Sequence, residues 1–219
     1  MKILGITGGV GAGKSTVLSY LQKQYGARVI LADEVGHMVQ EPGQECYKKI
    51  VEQFGEGILC DQEEMSDEKE VQVQNIENSG RRIDRQKLGT VVYADRSKLE
   101  LLNQLVHPAV KAHIVEEIEK ERHKGAVPFV VVEAALLLED RYDLICDEIW
   151  YVYVKEETRC KRLMASRGYS AEKVQSIMRN QMKDDEFRRR CDFVIDNSSD
   201  FMENTYEQID KGLIKHGFL

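Results

Sequence analysis

Residues 8–16 of this chain have the types and the spacing of a phosphate-binding loop. They read Gly-Gly-Val-Gly-Ala-Gly-Lys-Ser-Thr, which fits a glycine, four residues of any type and then Gly-Lys-Ser/Thr. Glycines let backbone N–H groups curl around an anion. The Lys14 ammonium can reach β- and γ-phosphates, and the Ser15 hydroxyl can bind Mg²⁺. The pattern predicts a nucleoside triphosphate site, whose phosphate-contacting residues are Gly11, Ala12, Gly13, Lys14, Ser15 and Thr16.

Two carboxylates follow apolar, strand-like segments. Asp33 comes directly after residues 28–32, and Glu133 ends residues 129–133. Because ligands of open α/β sheets bind at the carboxyl ends of the strands, we expect both side chains to face the crevice of the glycine-rich loop. Asp33 there can orient, or take a proton from, a hydroxyl that attacks a phosphate, or it can cap the next helix. Glu133 can support Mg²⁺, usually through water, or form an ordinary ion pair.

Four cations lie close together after the fourth strand-like segment, at Arg159, Lys161, Arg162 and Arg167. A transferring phosphoryl group spreads negative charge over its oxygens, and a positioned guanidinium stabilises that charge. A solvated basic face is the alternative for any one of them. With four cations so close, we expect at least one to face the phosphates, and the spacing leaves open which.

The elements that must position these residues are short strands alternating with helices. Five apolar, β-branched segments predict strands that are buried on both faces, at residues 2–7, 28–32, 129–133, 148–154 and 193–195. Helical patterns lie between them, which is typical of a parallel sheet wrapped by helices. The first strand, the glycine-rich loop and a helical pattern from Ser15 follow one another as a true phosphate-binding loop requires.

A long insertion separates the second predicted strand from the third. Residues 33–128 are far more than one crossover helix needs. Helical periodicity covers residues 35–54 and 83–124, and Pro108 predicts a break near His107. We interpret the insertion as a helical subdomain that can hold a second substrate. Its acidic and polar residues 61–80 are typical of a solvated loop or short exposed helix, and nothing supports a regulatory patch there.

The overall composition excludes several classes of protein. The formal net charge of -7 argues against a nucleic-acid partner held by bulk electrostatics. No apolar run reaches the length of a membrane-spanning helix, and the apolar N-terminal stretch is too short for a signal peptide. The five cysteines are scattered and lack metal-ligand spacing, which predicts reduced thiols in a cytoplasmic protein.

Two kinds of phosphate-loop protein compete with a small-molecule kinase. A GTPase would need an Asn-Lys-x-Asp guanine-binding sequence, which is absent. A nucleotide-binding switch without an acceptor would have no use for so large a helical insertion. A short chain with that insertion favours a small-molecule kinase, and a nucleoside or nucleoside-monophosphate kinase stays open on this reasoning.

An ordered set of motifs resembles the dephospho-coenzyme A kinase family along essentially the whole chain. The motifs lie at residues 5–16, 32–34, 83–89, 106–108, 133–139, 181 and 191–197. The resemblance implies a cytoplasmic enzyme that uses ATP and Mg²⁺ to phosphorylate the ribose 3′-hydroxyl of dephospho-coenzyme A. The net charge and the lack of a membrane-length apolar run predict no nucleic-acid and no membrane partner. We expect a monomer or small homo-oligomer.

The same resemblance implies a fold and a set of roles. The predicted fold is α/β, a five-stranded parallel sheet of the P-loop NTPase type with a helical acceptor-binding insertion and a helical lid. The core would be residues 1–34, 126–155 and 191–219, the insertion about 35–125 and the lid about 156–190. By resemblance Asp33 is the catalytic base or orienter, Lys14 and Arg162 are catalytic cations, and Asp33, Arg85 and His107 bind the acceptor.

Three departures from the family pattern are visible in the sequence. The acidic stretch 61–80 is longer than the short turn that usually precedes the Asp-Arg motif. Ala135 stands where many members have proline, and it changes no charged group. The lid helix often pairs an arginine with another four residues on, whereas Ser166 holds that place here and Arg167 follows it. On a helix this shift rotates the side chain by about 100°. The resemblance therefore carries the lid role to Arg162.

Overall fold

The computed structural model describes residues 1–61 and 80–219 and contains a five-stranded parallel sheet. Its strands are β1 (Lys2–Thr7), β2 (Arg28–Leu31), β3 (Phe129–Glu133), β4 (Glu148–Tyr153) and β5 (Phe193–Asp196). Their order across the sheet is β2-β3-β1-β4-β5. The α/β fold predicted from the sequence is confirmed, and each strand agrees with its predicted segment to within one residue at either end.

The central strands are apolar because helices cover both faces of the sheet. Leu4 and Ile6 of β1, Val131 of β3 and Trp150 of β4 are fully buried in one core cluster. Strand β1 lies between β3 and β4, so the chain leaves the sheet in opposite directions on its two sides. Ligands of such sheets bind outside the carboxyl ends of the strands at this point. The loop after β1 occupies that position.

Helices fill the connections between the strands. In chain order they are α1 (Lys14–Tyr25), α2 (Ala32–Met38), α3 (Glu45–Phe54), α4 (Arg85–Tyr93), α5 (Arg96–Lys124), α6 (Glu156–Arg167), α7 (Ala171–Arg179), α8 (Asp184–Arg190) and α9 (Met202–Lys215). Helix α1 buries Val17, Leu18 and Leu21 at helical spacing, and Gly26, which follows its last residue, stops the helix with a left-handed backbone (φ 67°).

The described residues form two compact units. The first is Met1–Ala32 with Val115–Leu219 and contains the sheet and the glycine-rich loop. The second is Asp33–Ile114 and is helical. The boundaries predicted for core, insertion and lid stay a prediction. Of the acidic stretch 61–80, residues 62–79 lie outside the described residues.

The break predicted at Pro108 is wrong, because α5 runs through it from Arg96 to Lys124. Proline removes the hydrogen bond to the carbonyl four residues earlier. That residue, Gln104, is exposed, so water can reach its carbonyl. The interruption in residues 83–124 lies instead at residues 94–95, where the Asp95 carboxylate accepts hydrogen bonds from the Ser97 N–H (2.9 Å) and hydroxyl (2.7 Å).

The helical pattern of residues 35–54 also forms two helices rather than one. Helix α2 ends at Met38 and α3 begins at Glu45. Pro42 and Gly43 lie between them, and Gly43 has a positive φ of 93° that interrupts a helix. Local turn chemistry therefore overrides the apolar periodicity in this segment.

Candidate active site

The loop between β1 and α1 has the backbone of an anion cradle. Its N–H and carbonyl groups close a turn, in which the Ala12 N–H donates to the Gly9 carbonyl at 3.1 Å. Gly13 precedes α1 with a left-handed backbone (φ 84°), and it has no side chain to cap the helix. The first N–H groups of a helix lack partners within the helix and carry partial positive charge. The start of α1 can therefore bind a phosphate.

Lys14 is held across this loop by two oxygen acceptors. Its ammonium Nζ donates to the Gly8 carbonyl at 2.8 Å and lies 3.4 Å from Oε1 of Glu133. Glu133 ends β3 at the level of Ile6 in the neighbouring β1, which brings the carboxylate to the base of the loop. Both side chains are mostly buried, at 17% and 13% exposed. The structure thus places Glu133 beside the predicted phosphate site, paired with Lys14.

Asn197 supports the loop from below, a role that the sequence reasoning did not assign. This buried residue follows β5, and its side-chain N–H donates to the Ala12 carbonyl at 2.9 Å. Its side-chain oxygen accepts from the Thr205 hydroxyl at 2.9 Å. A Cβ on Gly13 would collide with the Asn197 amide, so only glycine fits there. Asn197 belongs to the family motif at residues 191–197. A polar residue after a strand has no distinctive pattern, however, so the sequence did not assign it this supporting role.

Of the four candidate cations, two lie beside the phosphate loop and two do not. The Arg162 guanidinium donates to the carbonyls of Asn197 (3.0 Å) and Ser199 (3.4 Å), and the Arg159 guanidinium contacts the loop at Gly9. Arg167 lies at the end of α6 with its guanidinium 6.0 Å from the Tyr169 ring centre, and Lys161 is exposed. Arg159 and Arg162 thus lie beside the loop, and the expectation that at least one cation faces the phosphates stays a prediction.

Asp33 and Arg85 belong to the second unit. Helix α2 begins at Ala32, so Asp33 lies in its first turn and is exposed. His37 follows one turn later on the same face. His37 and Arg85 line a cavity of about 500 Å³, a size typical of small-molecule sites. The other lining residues are Gln40, Glu41, Cys60, Arg82, Ile83, Asp84 and Gln86.

The remaining predicted acceptor residue is separate from this cavity. His107 lies in the middle of α5 and is half-buried, and it is not among the residues that line the cavity. Asp84, by contrast, has a structural role. Its carboxylate caps α4 by accepting from the N–H groups of Gln86 (2.8 Å) and Lys87 (3.1 Å).

The chemistry of the loop fits a magnesium ion shared with phosphate oxygens. Mg²⁺ usually keeps water ligands and takes one or two protein oxygens together with phosphates, and the Ser15 hydroxyl and the Glu133 carboxylate are oxygens of that kind. Within residues 1–61 and 80–219, no group of three or more acidic, histidine or cysteine side chains could hold a metal by itself.

Burial raises the pKa of the Cys146 and Cys191 thiols to about 12, so these thiols stay protonated. All five cysteines are free.

The sheet order, the loop and the cations of α6 together define a kinase of the P-loop class. A family model for dephospho-CoA kinase matches residues 2–203. The chain therefore belongs to the dephospho-CoA kinase family, which confirms the family inferred from its motifs. No helix in the described part of the chain combines the length and the apolar character that crossing a membrane would require.

Individual relatives agree with this assignment. The chain is 37% identical to a dephospho-CoA kinase of Carboxydothermus hydrogenoformans over 209 residues, which is 95% of this chain and 91% of that one. It is 37% identical to a dephospho-CoA kinase of Arabidopsis thaliana, over 98% of this chain and 84% of that one. Among solved structures, the protein TT1252 of Thermus thermophilus is similar with a TM-score of 0.74 and 28% identity, covering 98% and 97% of the two chains.

Proposed function

We propose that this chain transfers the γ-phosphate of ATP to the 3′-hydroxyl of the ribose of dephospho-CoA, giving CoA and ADP in the last step of CoA biosynthesis. One observation supports this above the others, the family match over residues 2–203 of a chain whose phosphate loop is intact. The enzyme is a phosphotransferase with an alcohol group as acceptor. The net charge of -7 fits an enzyme of small molecules without a nucleic-acid partner.

The phosphates of ATP bind on residues 11–16. The N–H groups at the start of α1 donate to phosphate oxygens, and Lys14 exchanges its contact with the Gly8 carbonyl for a phosphate oxygen. Ser15 and Glu133 would hold Mg²⁺, which would neutralise charge on the phosphate oxygens. In the structure Glu133 is paired with Lys14 at 3.4 Å, so Glu133 would exchange this contact for Mg²⁺ when Lys14 turns to a phosphate oxygen.

The acceptor binds in the second unit. Dephospho-CoA carries a diphosphate, and the cavity is lined by three cationic or ionisable donors, Arg82, Arg85 and His37. Arginine matches phosphate oxygens with two parallel N–H groups. Asp33 lies one turn of α2 from His37 and holds the 3′-hydroxyl, orienting it or taking its proton. His107 adds an acceptor contact on α5 by resemblance to the family.

Transfer requires the hydroxyl held by Asp33 to reach the terminal phosphate bound on the first unit. Positioning the two reactants in line supplies most of the rate, and Lys14 and an arginine of α6 neutralise the charge that develops. Closure of the helices in residues 156–190 over the nucleotide would exclude water and so limit ATP hydrolysis. We place the enzyme in the cytoplasm as a monomer or small homo-oligomer.

An acceptor panel tests this function. ADP formation from ATP and Mg²⁺ is measured alone and with dephospho-CoA, adenosine, AMP or CoA as acceptor. The proposal predicts strong stimulation by dephospho-CoA, and none by CoA, whose 3′-hydroxyl is already phosphorylated. Stimulation by adenosine or AMP instead would assign the chain to the nucleoside or nucleotide kinases. Slow hydrolysis that no acceptor accelerates would favour a nucleotide-binding switch.

A further inference from the structure

Arg159 lies against the phosphate loop rather than in solvent. It is in the first turn of α6, and its guanidinium packs on Gly9. A Cβ at Gly9 would stand 2.6 Å from Nη1, 2.7 Å from Cζ and 2.8 Å from Nη2 of Arg159. Real Cβ atoms do not approach other atoms so closely, so in this arrangement the guanidinium occupies the space where a side chain at position 9 would begin. Sequence spacing alone did not separate Arg159 from its three cationic neighbours.

The side chain that binds the Arg159 guanidinium is neutral, so it does not compensate the positive charge. Its Nη2 donates to the side-chain oxygen of Gln181 at 2.6 Å, and Gln181 is neutral. Its Nε is buried and has no hydrogen-bond partner among the described residues. Asp184 is not an ion-pair partner of Arg159 in the described part of the chain: its Oδ2 accepts from Nε of Arg188 at 2.9 Å, and its buried Oδ1 has no hydrogen-bond partner there. A buried donor without a partner is costly unless a ligand satisfies it.

Arg162 is the lid arginine that the family resemblance indicates. It differs from Arg159 because its guanidinium donors already have acceptors. Both of its Nη groups donate to main-chain carbonyls, those of Asn197 and Ser199. These bonds tie α6 to the segment that follows β5, which also carries the amide that supports Ala12. To reach a phosphate, Arg162 must give up two acceptors. Arg159 gives up none, because its Nε and Nη1 make no hydrogen bond in the described part of the chain.

We propose that Arg159 is a catalytic residue that contacts the terminal phosphate of ATP, held in place by Gln181. This rests on the proposed function of the loop. In the step it assists, the bond between the γ-phosphorus and the β–γ bridging oxygen breaks and its electron pair leaves with ADP. A bond from the acceptor oxygen to the γ-phosphorus forms, and the hydroxyl proton passes to Asp33 or to water. The guanidinium neutralises charge on the γ-phosphoryl oxygens as they move.

Gln181 is a positioning residue in this scheme. It follows α7, and its N–H donates to the Met178 carbonyl at 3.3 Å, which fixes the backbone beside Arg159. A neutral amide orients the guanidinium without cancelling its charge. A carboxylate at this place would hold the arginine in an ion pair and compete with the phosphate.

Arg159→Gln tests the catalytic role, with Arg167→Gln as the matched control on the same helix. Arg159→Gln is expected to lower kcat at least about 100-fold, the scale of losing one preorganised charge donor, while Arg167→Gln stays within about twofold of wild type. A kcat for Arg159→Gln within about threefold of wild type overturns the proposal. Unchanged ADP binding confirms that the variant is folded.

A second measurement needs no acceptor, so it separates this proposal from the identity of the substrate. The affinities for a non-hydrolysable ATP analogue and for ADP are compared by calorimetry. Arg159→Gln is expected to weaken the analogue about tenfold relative to ADP, since the lost contact is with the terminal phosphate alone. An unchanged ratio overturns the assignment. If wild-type enzyme fails to make CoA but the ratio falls, the proposed function is wrong and the phosphate contact stands.

Gln181→Leu tests the positioning role. It is expected to lower kcat about tenfold with the KM for dephospho-CoA unchanged, because only the orientation of the guanidinium is lost. In the double variant with Arg159→Gln, the Leu substitution is expected to cost nothing further, since residues that act through one group are not additive. Losses that multiply in the double variant would show that Gln181 acts independently of Arg159.

Discussion

The buried amide of Asn197 offers a sharp test of how the phosphate loop is held. Asn197→Ala removes a donor to the Ala12 carbonyl and an acceptor for the Thr205 hydroxyl, each at 2.9 Å. Asn197 is 2% exposed and Thr205 0% exposed, so water cannot replace these bonds without a rearrangement. Two buried polar groups therefore lose their partners at once.

The expected magnitude follows from these two orphaned groups. Leaving one buried polar group unpaired costs about 1–3 kcal/mol, so the variant should lose about 3 kcal/mol of the free energy of unfolding. For a chain of this size that lowers the Tm by about 6–12 °C. Thr205→Val removes only one hydrogen bond and keeps the side-chain shape, so we expect a loss of about 1 kcal/mol. ATP binding should weaken in Asn197→Ala, because the loop loses the hydrogen bond that holds the Ala12 carbonyl in place.

The assay is urea unfolding followed by circular dichroism, with ATP affinity measured on the same preparations. Asn204→Ala is the matched control, because that amide is exposed and its side-chain N–H donates to the Ser199 hydroxyl at 2.9 Å. We expect the control to lose less than about 0.5 kcal/mol. If Asn197→Ala unfolds like the control and binds ATP like wild type, the amide does not support the loop and the reasoning is refuted.

Three further predictions concern the proposed catalytic and acceptor residues. Asp33→Asn should keep ATP binding but lose at least about 100-fold in kcat, the scale of general base catalysis. Near-normal turnover would show that Asp33 has only a structural role in α2. Lys14→Ala should lose at least about 100-fold in kcat while circular dichroism shows that the chain stays folded, and a fully active variant would contradict the phosphate cradle. Arg85→Gln should raise the KM for dephospho-CoA about tenfold with the KM for ATP unchanged, since we propose that the acceptor binds in the cavity lined by Arg85; equal changes in both KM values would contradict that role.

The strands and the phosphate loop could be read from the sequence because their signals are local. Runs of β-branched residues such as residues 129–133 are apolar on both faces only in a covered parallel sheet. The Gly-Lys-Ser pattern is likewise a local backbone requirement. These features need no knowledge of distant segments.

The sequence predictions were wrong or incomplete where contacts with distant segments or with solvent determine the structure. Pro108 does not break α5, because its lost hydrogen bond falls at exposed Gln104. The choice between Arg159 and Arg162 depends on the carbonyls and amides that each meets, which periodicity does not show. The cavity in the second unit is lined by His37, Gln40, Glu41, Cys60 and residues 82–86, so the contribution of Arg82 and His37 could not be found from one stretch of sequence.

The most direct test of the central claim follows the phosphate itself. Purified protein is incubated with dephospho-CoA, Mg²⁺ and ATP that carries a radioactive γ-phosphate, and the products are separated and counted. The proposed function predicts label in CoA, mole for mole with the ADP formed, and its complete release by an enzyme that removes 3′-phosphates. Label that appears only as inorganic phosphate, or in CoA at a position which that enzyme does not attack, would contradict it.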